Sequence, residues 1–250
     1  MTQVVTPARA CWLSQQIYAP IVAGIFDQVL EVGGITVGIS HGLSHAGGVT
    51  EITFAGSEKA LDWLRNFRAI PYEHPRLGTV HLGFWSGMGD VFVALRPYLV
   101  GTIAIQGHSL GGAHAAILAG LCAINGIEVA QLTLFAPPRP GFAAIRNLIA
   151  GTVPCVLAYR NGLDPVPTVA PHIPVLFPWE DIAPLITLNE PPPEPKDETL
   201  LDELESVFQY HEISLYLKGI SKNLLRHLGG PTQSQACDAH RTVVRLRFSA

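Results

Sequence analysis

Residues 107–112 read Gly107-His108-Ser109-Leu110-Gly111-Gly112 and separate two segments of opposite character. The apolar run before them, residues 99–106, has the composition of a buried strand, and the Ala-rich stretch after them, 113–124, has that of a helix. A serine between two glycines at a strand-to-helix turn is the pattern of a nucleophile elbow, where a sharp turn lifts the hydroxyl clear of the sheet. The glycines have a steric role. The turn is strained and the helix starts close against the strand, so side chains at Gly107 and Gly111 would collide.

A serine hydroxyl is a weak nucleophile until a base takes its proton, and the base is commonly a histidine steadied by a carboxylate. At an elbow of this kind the partners follow in the order serine, acid, histidine. The first acid in a suitable place is Asp164, in the turn 160–165 after the strand-like run 153–159. Turns at the carboxyl ends of strands are where sites gather in open α/β sheets. Asp164 either fills that role or closes its own turn by bonding the backbone, and Glu180 and Asp181 stand in reserve. Downstream lie His172, His211 and His240. His172 falls in a proline-rich stretch and His240 in the tail, whereas His211 opens a helical segment with Ile213, Leu215 and Tyr216 that would hold it rigidly. Position favours His211. His108, beside the serine, reads as a residue packed under the elbow.

Attack on an ester creates an oxyanion that needs donors already aimed at it. The Leu110 N–H is one, and the second is expected from a loop after an early strand. Phe54-Ala55-Gly56-Ser57 ends such a strand, and Ser57 offers an N–H and a hydroxyl there while also suiting the N-cap of a helix over 58–67. Nucleophile, base and oxyanion donors are all protein groups, so neither a metal nor an organic cofactor is implied.

The remaining chain alternates strands and helices. Residues 35–39 and 49–54 read as a hairpin across a turn at 42–48, and 79–82, 131–135 and 153–159 as further strands. Residues 8–18, 88–98, 142–149, 197–208 and 211–221 have helical patterns, and 164–195 read as an extended, proline-rich surface excursion. An α/β fold with a mainly parallel central sheet and helices on both faces is expected. With the elbow, that is the α/β-hydrolase fold. The 250 residues, 48% hydrophobic and 14% charged, suit one domain spanning 1–250.

A formal charge of -4 without a basic run leaves no footprint for nucleic acid. Mean hydropathy is +0.29, yet no apolar stretch reaches the ~18 residues of a membrane span. Residues 17–26 are apolar but flanked or broken by Gln15, Gln16 and Pro20, so a secretory signal is not read. A cytoplasmic protein, or one exported without a recognisable signal peptide, is expected. The four cysteines lack any C-x-x-C spacing. Cys122 and Cys155 read as buried thiols, and a bridge from Cys11 to Cys237 would join the chain ends.

Taken together, these segments resemble the class 3 lipases, the fungal-lipase-like α/β-hydrolases. The resemblance runs over residues 35–216. It rests on Phe54-Ala55-Gly56-Ser57 with Asp62-Trp63-Leu64, on Val80-His81-Leu82-Gly83-Phe84, and on the Gly107–Gly112 elbow. Phe135-Ala136-Pro137-Pro138-Arg139-Pro140-Gly141, Tyr159-Arg160-Asn161-Gly162-Leu163-Asp164-Pro165-Val166-Pro167, and His211 with Tyr216 complete it. It implies Ser109 as nucleophile, Asp164 as acid, His211 as base, and Ser57 with Leu110 as oxyanion hole. It also implies an ester or lipid substrate, an acylglycerol or simpler ester, met in transient contact with a lipid interface. A phospholipase A1, feruloyl esterase, thioesterase or catalytically silent binding module would share the scaffold. Ala55 stands where the family usually has a polar residue, and the excursion at 164–195 is of unusual character. Residues 57–72, with Leu61, Trp63, Leu64, Phe67 and Ile70, either form a lid over an acyl groove or pack permanently on the core.

Overall fold

Aliphatic and β-branched residues that alternate sides along each strand decide how this chain layers. The computed structural model describes residues 5–18, 24–41, 48–57, 67–191 and 209–226. In chain order the strands are β1 (Gln28–Val32), β2 (Ile35–His41), β3 (Val49–Phe54), β4 (Pro71–His74), β5 (Gly78–His81), β6 (Thr102–His108), β7 (Gln131–Phe135), β8 (Cys155–Asn161), β9 (His172–Ile173), β10 (Phe177–Pro178) and β11 (Leu185–Leu188). The helices are α1 (Pro7–Gln16), the single turn α2 (Leu82–Trp85), α3 (Met88–Leu95), α4 (Leu110–Ile124), α5 (Ala143–Thr152) and α6 (Ile213–Arg226). The central sheet has the order β1-β2-β3-β6-β7-β8-β11. β1, β2 and β3 pair antiparallel, and every neighbour from β3 to β11 is parallel.

Period-two alternation then builds two cores. Ile103 and Ile105 of β6, Leu132 and Leu134 of β7, and Val156 and Ala158 of β8 pack in the layer that holds α3, α4 and α5. Ala104, Phe135, Leu157 and Tyr159 point the other way, into the layer with Ala10 and Cys11 of α1 and Tyr216 and Ile220 of α6. A one-residue slip would exchange these faces. Helix α4 lies against β3, β6 and β7 on one side and against α2, α3 and α5 on the other. A helix covered all round is largely apolar, and of the buried residues 111–122 only His114 is polar. This is the expected α/β-hydrolase architecture.

The expected hairpin is present, with Val37 opposite Phe54 and His41 opposite Thr50. Its turn at 42–47 lies outside the described residues, as do 58–66 of the lid-like segment, the helix expected over 197–208, Cys237 and His240. The described end of the lid-like segment is anchored to β5. The Phe67 ring stacks on His81 with centroids 4.7 Å apart, and His81 Nε2–H donates to the Arg68 carbonyl at 2.6 Å.

Three expectations are corrected. Residues 164–195 are not wholly a surface excursion, because Leu185–Leu188 within them forms β11 and extends the central sheet beside β8. A strand of four residues between Pro184 and Pro191 is too short to announce itself by periodicity. Cys155 is disulfide-bonded and not a buried thiol. Cys11 and Cys122 are the buried free thiols, so Cys11 does not bridge to Cys237. Strand β1 carried no clear signal and is recruited by pairing with β2.

His114 on α4 lies in this core beside the Phe54 ring. Burial drives its pKa down to about 4, so the folded protein refuses a proton that the unfolded chain accepts below about pH 6.5. Its contribution is complete above that pH and is lost as the pH falls toward 4, by ~3 kcal/mol. Thermal unfolding followed from neutral pH downward should lose Tm over this window. His114→Leu should flatten the loss, and an unchanged slope would contradict the assignment.

Candidate active site

Strand β6 ends at His108, and Ser109 follows with φ 58° and ψ -130°, a backbone region that L side chains rarely occupy. Its N–H donates to the Phe135 carbonyl at 2.9 Å, and its carbonyl accepts from Gly112 N–H at 2.8 Å. The expected steric role of the glycines is visible. A Cβ on Gly107 would lie 2.2 Å from the Gly111 carbonyl oxygen, and one on Gly111 would lie 2.5 Å from the Phe54 carbonyl oxygen. The helix is therefore laid directly on the strand ends. The Ser109 side chain makes no capping bond to α4, and its buried Oγ has no hydrogen-bond partner among the described residues.

Asp164 follows β8 and is fully buried. Its Oδ1 accepts from the Val166 N–H at 2.9 Å. Its Oδ2 accepts from His211 Nδ1 at 2.8 Å and from the Tyr216 hydroxyl at 2.5 Å. A carboxylate can only accept, so Nδ1 of His211 carries the proton and Nε2 of the neutral ring is left as a base. That Nε2 is buried and also without a partner among the described residues. Burial, and then the Asp164 charge, hold the Tyr216 phenol well above its ordinary pKa, which keeps it a donor. Its oxygen in turn accepts from the Asn161 N–H at 2.9 Å.

His108 stacks on His211 with ring centroids 4.5 Å apart, which brings His211 against the residue next to Ser109. Its Nε2 lies 2.9 Å from the His211 carbonyl and its Nδ1 lies 3.0 Å from the Tyr18 hydroxyl. The carbonyl accepts only, so Nε2–H donates to it and Nδ1 accepts from Tyr18. Burial, followed by the neighbouring His211, pushes the His108 pKa well below the usual value. His108 is thus a neutral strut under the elbow, as its sequence position suggests.

Leu110 and Ser57, the residues expected to supply oxyanion donors, belong to segments that adjoin Ser109. Leu110 opens α4, where an N–H has no acceptor four residues back. A Cβ on Gly56 would stand 3.2 Å from Ser109 Cβ and 2.6 Å from the His108 carbonyl oxygen, so the loop bearing Ser57 is pressed against Ser109. The reserve residues are engaged elsewhere. Asp181 pairs with Arg139 at 3.0 Å and Glu180 with Arg146 at 2.9 Å, and His172 Nδ1 bonds the Trp179 carbonyl at 2.7 Å. Tyr18 and Asn161 escaped the sequence reading. Both act through partners distant in the chain, and no local pattern marks them.

Residues 51–173 match the model of a family described as Lipase (class 3). The match covers just under half of the chain and makes that stretch similar to the class 3 lipases. A lipase of Rhizomucor miehei is 30% identical over 141 residues, which are 49% of this chain and 37% of that lipase. The matched stretch thus spans little more than a third of that relative's length. The solved structure of the Rhizomucor miehei triacylglyceride lipase superposes with a TM-score of 0.53 at 20% identity, covering 65% of this chain and 72% of that one. A triacylglycerol lipase whose catalytic centre is described as a serine protease triad gives a TM-score of 0.53 at 23% identity, with 65% and 72% covered. A Penicillium cyclopium protein gives 0.58 at 19%, with 78% and 81% covered. At such identities the superpositions establish a shared fold.

Tyr216→Phe removes one donor from Asp164 and strands the buried Asn161 N–H. Leaving a buried donor unpaired costs about 1–3 kcal/mol. Urea unfolding of the variant should show that loss, and a stability equal to wild type would mean that the hydroxyl is not the link between β8 and the acid.

Proposed function

We propose that this chain is a serine carboxylic-ester hydrolase of the lipase type, cleaving acylglycerols or simpler esters through an acyl-enzyme on Ser109. One observation carries the reading. Ser109 Oγ and His211 Nε2 are two buried polar atoms without partners among the described residues, and the His211 ring stacks on His108, the residue bonded to Ser109. Buried polar groups are normally satisfied, so the pair has the character of a site held ready for a reacting group.

In the proposed reaction, His211 Nε2 takes the proton of Ser109 as Oγ attacks the ester carbonyl. The Leu110 N–H and Ser57 stabilise the oxyanion, and His211 returns the proton to the departing alkoxide. Water, deprotonated by His211, then attacks the acyl-serine and releases the acid while Oγ recovers its hydrogen. Asp164 stabilises the imidazolium formed in each half. Preorganised donors at an oxyanion are each worth ~3 kcal/mol of transition-state stabilisation.

The resemblance to the Rhizomucor miehei lipase supports a lipid or related ester as substrate. So does the hairpin β9–β10 on the segment that follows Asp164. Its tip exposes Val175 (95%), Leu176 (71%) and Phe177 (45%), and no Asp, Glu, Lys or Arg occurs over 171–179. Among the described residues no helix is long and apolar enough to cross a membrane, so contact with lipid would be at its surface.

Wild type should hydrolyse a p-nitrophenyl ester, Ser109→Ala should not, and Asp164→Asn should lose about 10⁴-fold in kcat with its fold intact. Equal rates for wild type and Ser109→Ala would end the enzyme reading, and near-normal turnover in Asp164→Asn would remove that residue from it. A panel of triglycerides, phospholipids, feruloyl esters and thioesters, assayed below and above substrate aggregation, should give its highest kcat/KM on an acylglycerol.

A further inference from the structure

Asn161, the last residue of β8, is fully buried, and its side chain reaches two other segments. The carboxamide nitrogen donates to the Glu190 carbonyl at 3.0 Å and to the Tyr210 carbonyl at 3.3 Å. The carboxamide oxygen accepts from the Glu190 N–H at 3.0 Å. The backbone ladder between β8 and β11 runs to the pair Asn161–Leu188 and closes with the Gly162 N–H donating to the Leu188 carbonyl at 2.7 Å. The Asn161 side chain continues it by one step, pairing with both backbone groups of residue 190 as a strand would. Its second N–H is left for Tyr210.

Tyr210 is peptide-bonded to His211, and α6 begins only at Ile213. The imidazole therefore hangs on a short non-helical link, gripped by α6 on one side. On the other side stand the Asn161 bond and the Tyr210 ring, which fills the space a side chain on Gly162 would need. Glu190 is braced separately, its carboxylate bonding Lys222 of α6 at 2.7 Å with Lys218 at 3.4 Å.

We propose that Asn161 is a positioning residue for the ester hydrolysis, setting the His211 imidazole against Ser109 by holding the Tyr210 carbonyl. The proposal rests on the hydrolase reading of the site. Asparagine suits the role because one planar group supplies two donors and an acceptor. Aspartate is nearly the same shape but would turn an acceptor toward two carbonyls.

The test compares Asn161→Asp, Asn161→Ala and Lys222→Ala, the last of which loosens Glu190 while leaving the Tyr210 bond. Active enzyme is counted by fluorophosphonate titration. Both Asn161 variants should lose about 10- to 100-fold in kcat per active site, as a misplaced catalytic group does, with KM within about twofold. The apparent pKa of the base in the pH–kcat/KM profile should shift, and the low-field proton resonance of the His211–Asp164 hydrogen bond should move or broaden. Lys222→Ala should match wild type in all three. Folded Asn161 variants with wild-type kcat, pH profile and low-field resonance would overturn the proposal, as would failure of both to fold, which would make the residue structural. The resonance is read without substrate. An inactive wild type would therefore refute the hydrolase reading and leave a distinct signature.

Discussion

The contact on which the structure depends is that of helix α4 with the ends of β3 and β6, made without an intervening side chain. The Gly107 position faces the Gly111 carbonyl, and the Gly111 position faces the Phe54 carbonyl. That closeness forces the reversal at Ser109 and sets the start of α4 beside the serine. It also presses the Phe54–Ser57 loop against it. Interiors pack at the density of organic crystals, so a helix this near a sheet cannot drift. Two further glycines of α4 serve the same end, since a Cβ on Gly112 would stand 3.2 Å from Pro137 and one on Gly120 3.0 Å from Leu77.

Around this fixed point lie charge and hydrogen-bond constraints. The Asp164 carboxylate has no exposure, and an unpaired buried carboxylate would be very costly. Three donors meet it, from Val166, His211 and Tyr216. Which of the two stacked histidines can act as a base is decided by their partners. His108 has both ring nitrogens engaged, by Tyr18 and by the His211 carbonyl. His211 has one nitrogen engaged and one left over. The distinction is chemical and comes from which groups can donate and which can only accept.

The legible parts of the fold were those encoded locally. The elbow is six consecutive residues whose glycines have a steric reason, and β6, β7 and β8 are long enough to show themselves as apolar runs. Asp164 and His211 were found through chain order and placement after a strand and before a helix, and they lie together in the folded chain. The hidden parts depend on distant partners. β11 is four residues whose order comes from β8, and β1 is a strand through its pairing with β2. Tyr18 meets His108 across 90 positions, and Asn161 meets Tyr210 across 49. No periodicity or motif inside either segment could announce such a bond. The disulfide at Cys155 has the same character, because an apolar neighbourhood says only that a cysteine is buried.

The backbone strain at the site is supported in a way that clarifies its placement. Ser109 and Ala136 are non-glycine residues at positive φ, 58° and 48°, each just past the end of a parallel strand. Each donates its N–H to the end of the next strand: Ser109 to the Phe135 carbonyl and Ala136 to the Tyr159 carbonyl, both at 2.9 Å. The ladder thus persists one residue beyond the strands, where the chain turns away. A strained residue persists only where its surroundings over-determine it, and here each is tied to a neighbour that is itself in the sheet. Gly162 follows the same rule after β8, with φ 46° and its N–H donating to the Leu188 carbonyl at 2.7 Å, and the Asn161 side chain adds bonds to residue 190. The serine and acid are carried directly by this staircase of strand ends. The histidine arrives from another segment, so it alone needs a separate bond to bring it into register with them.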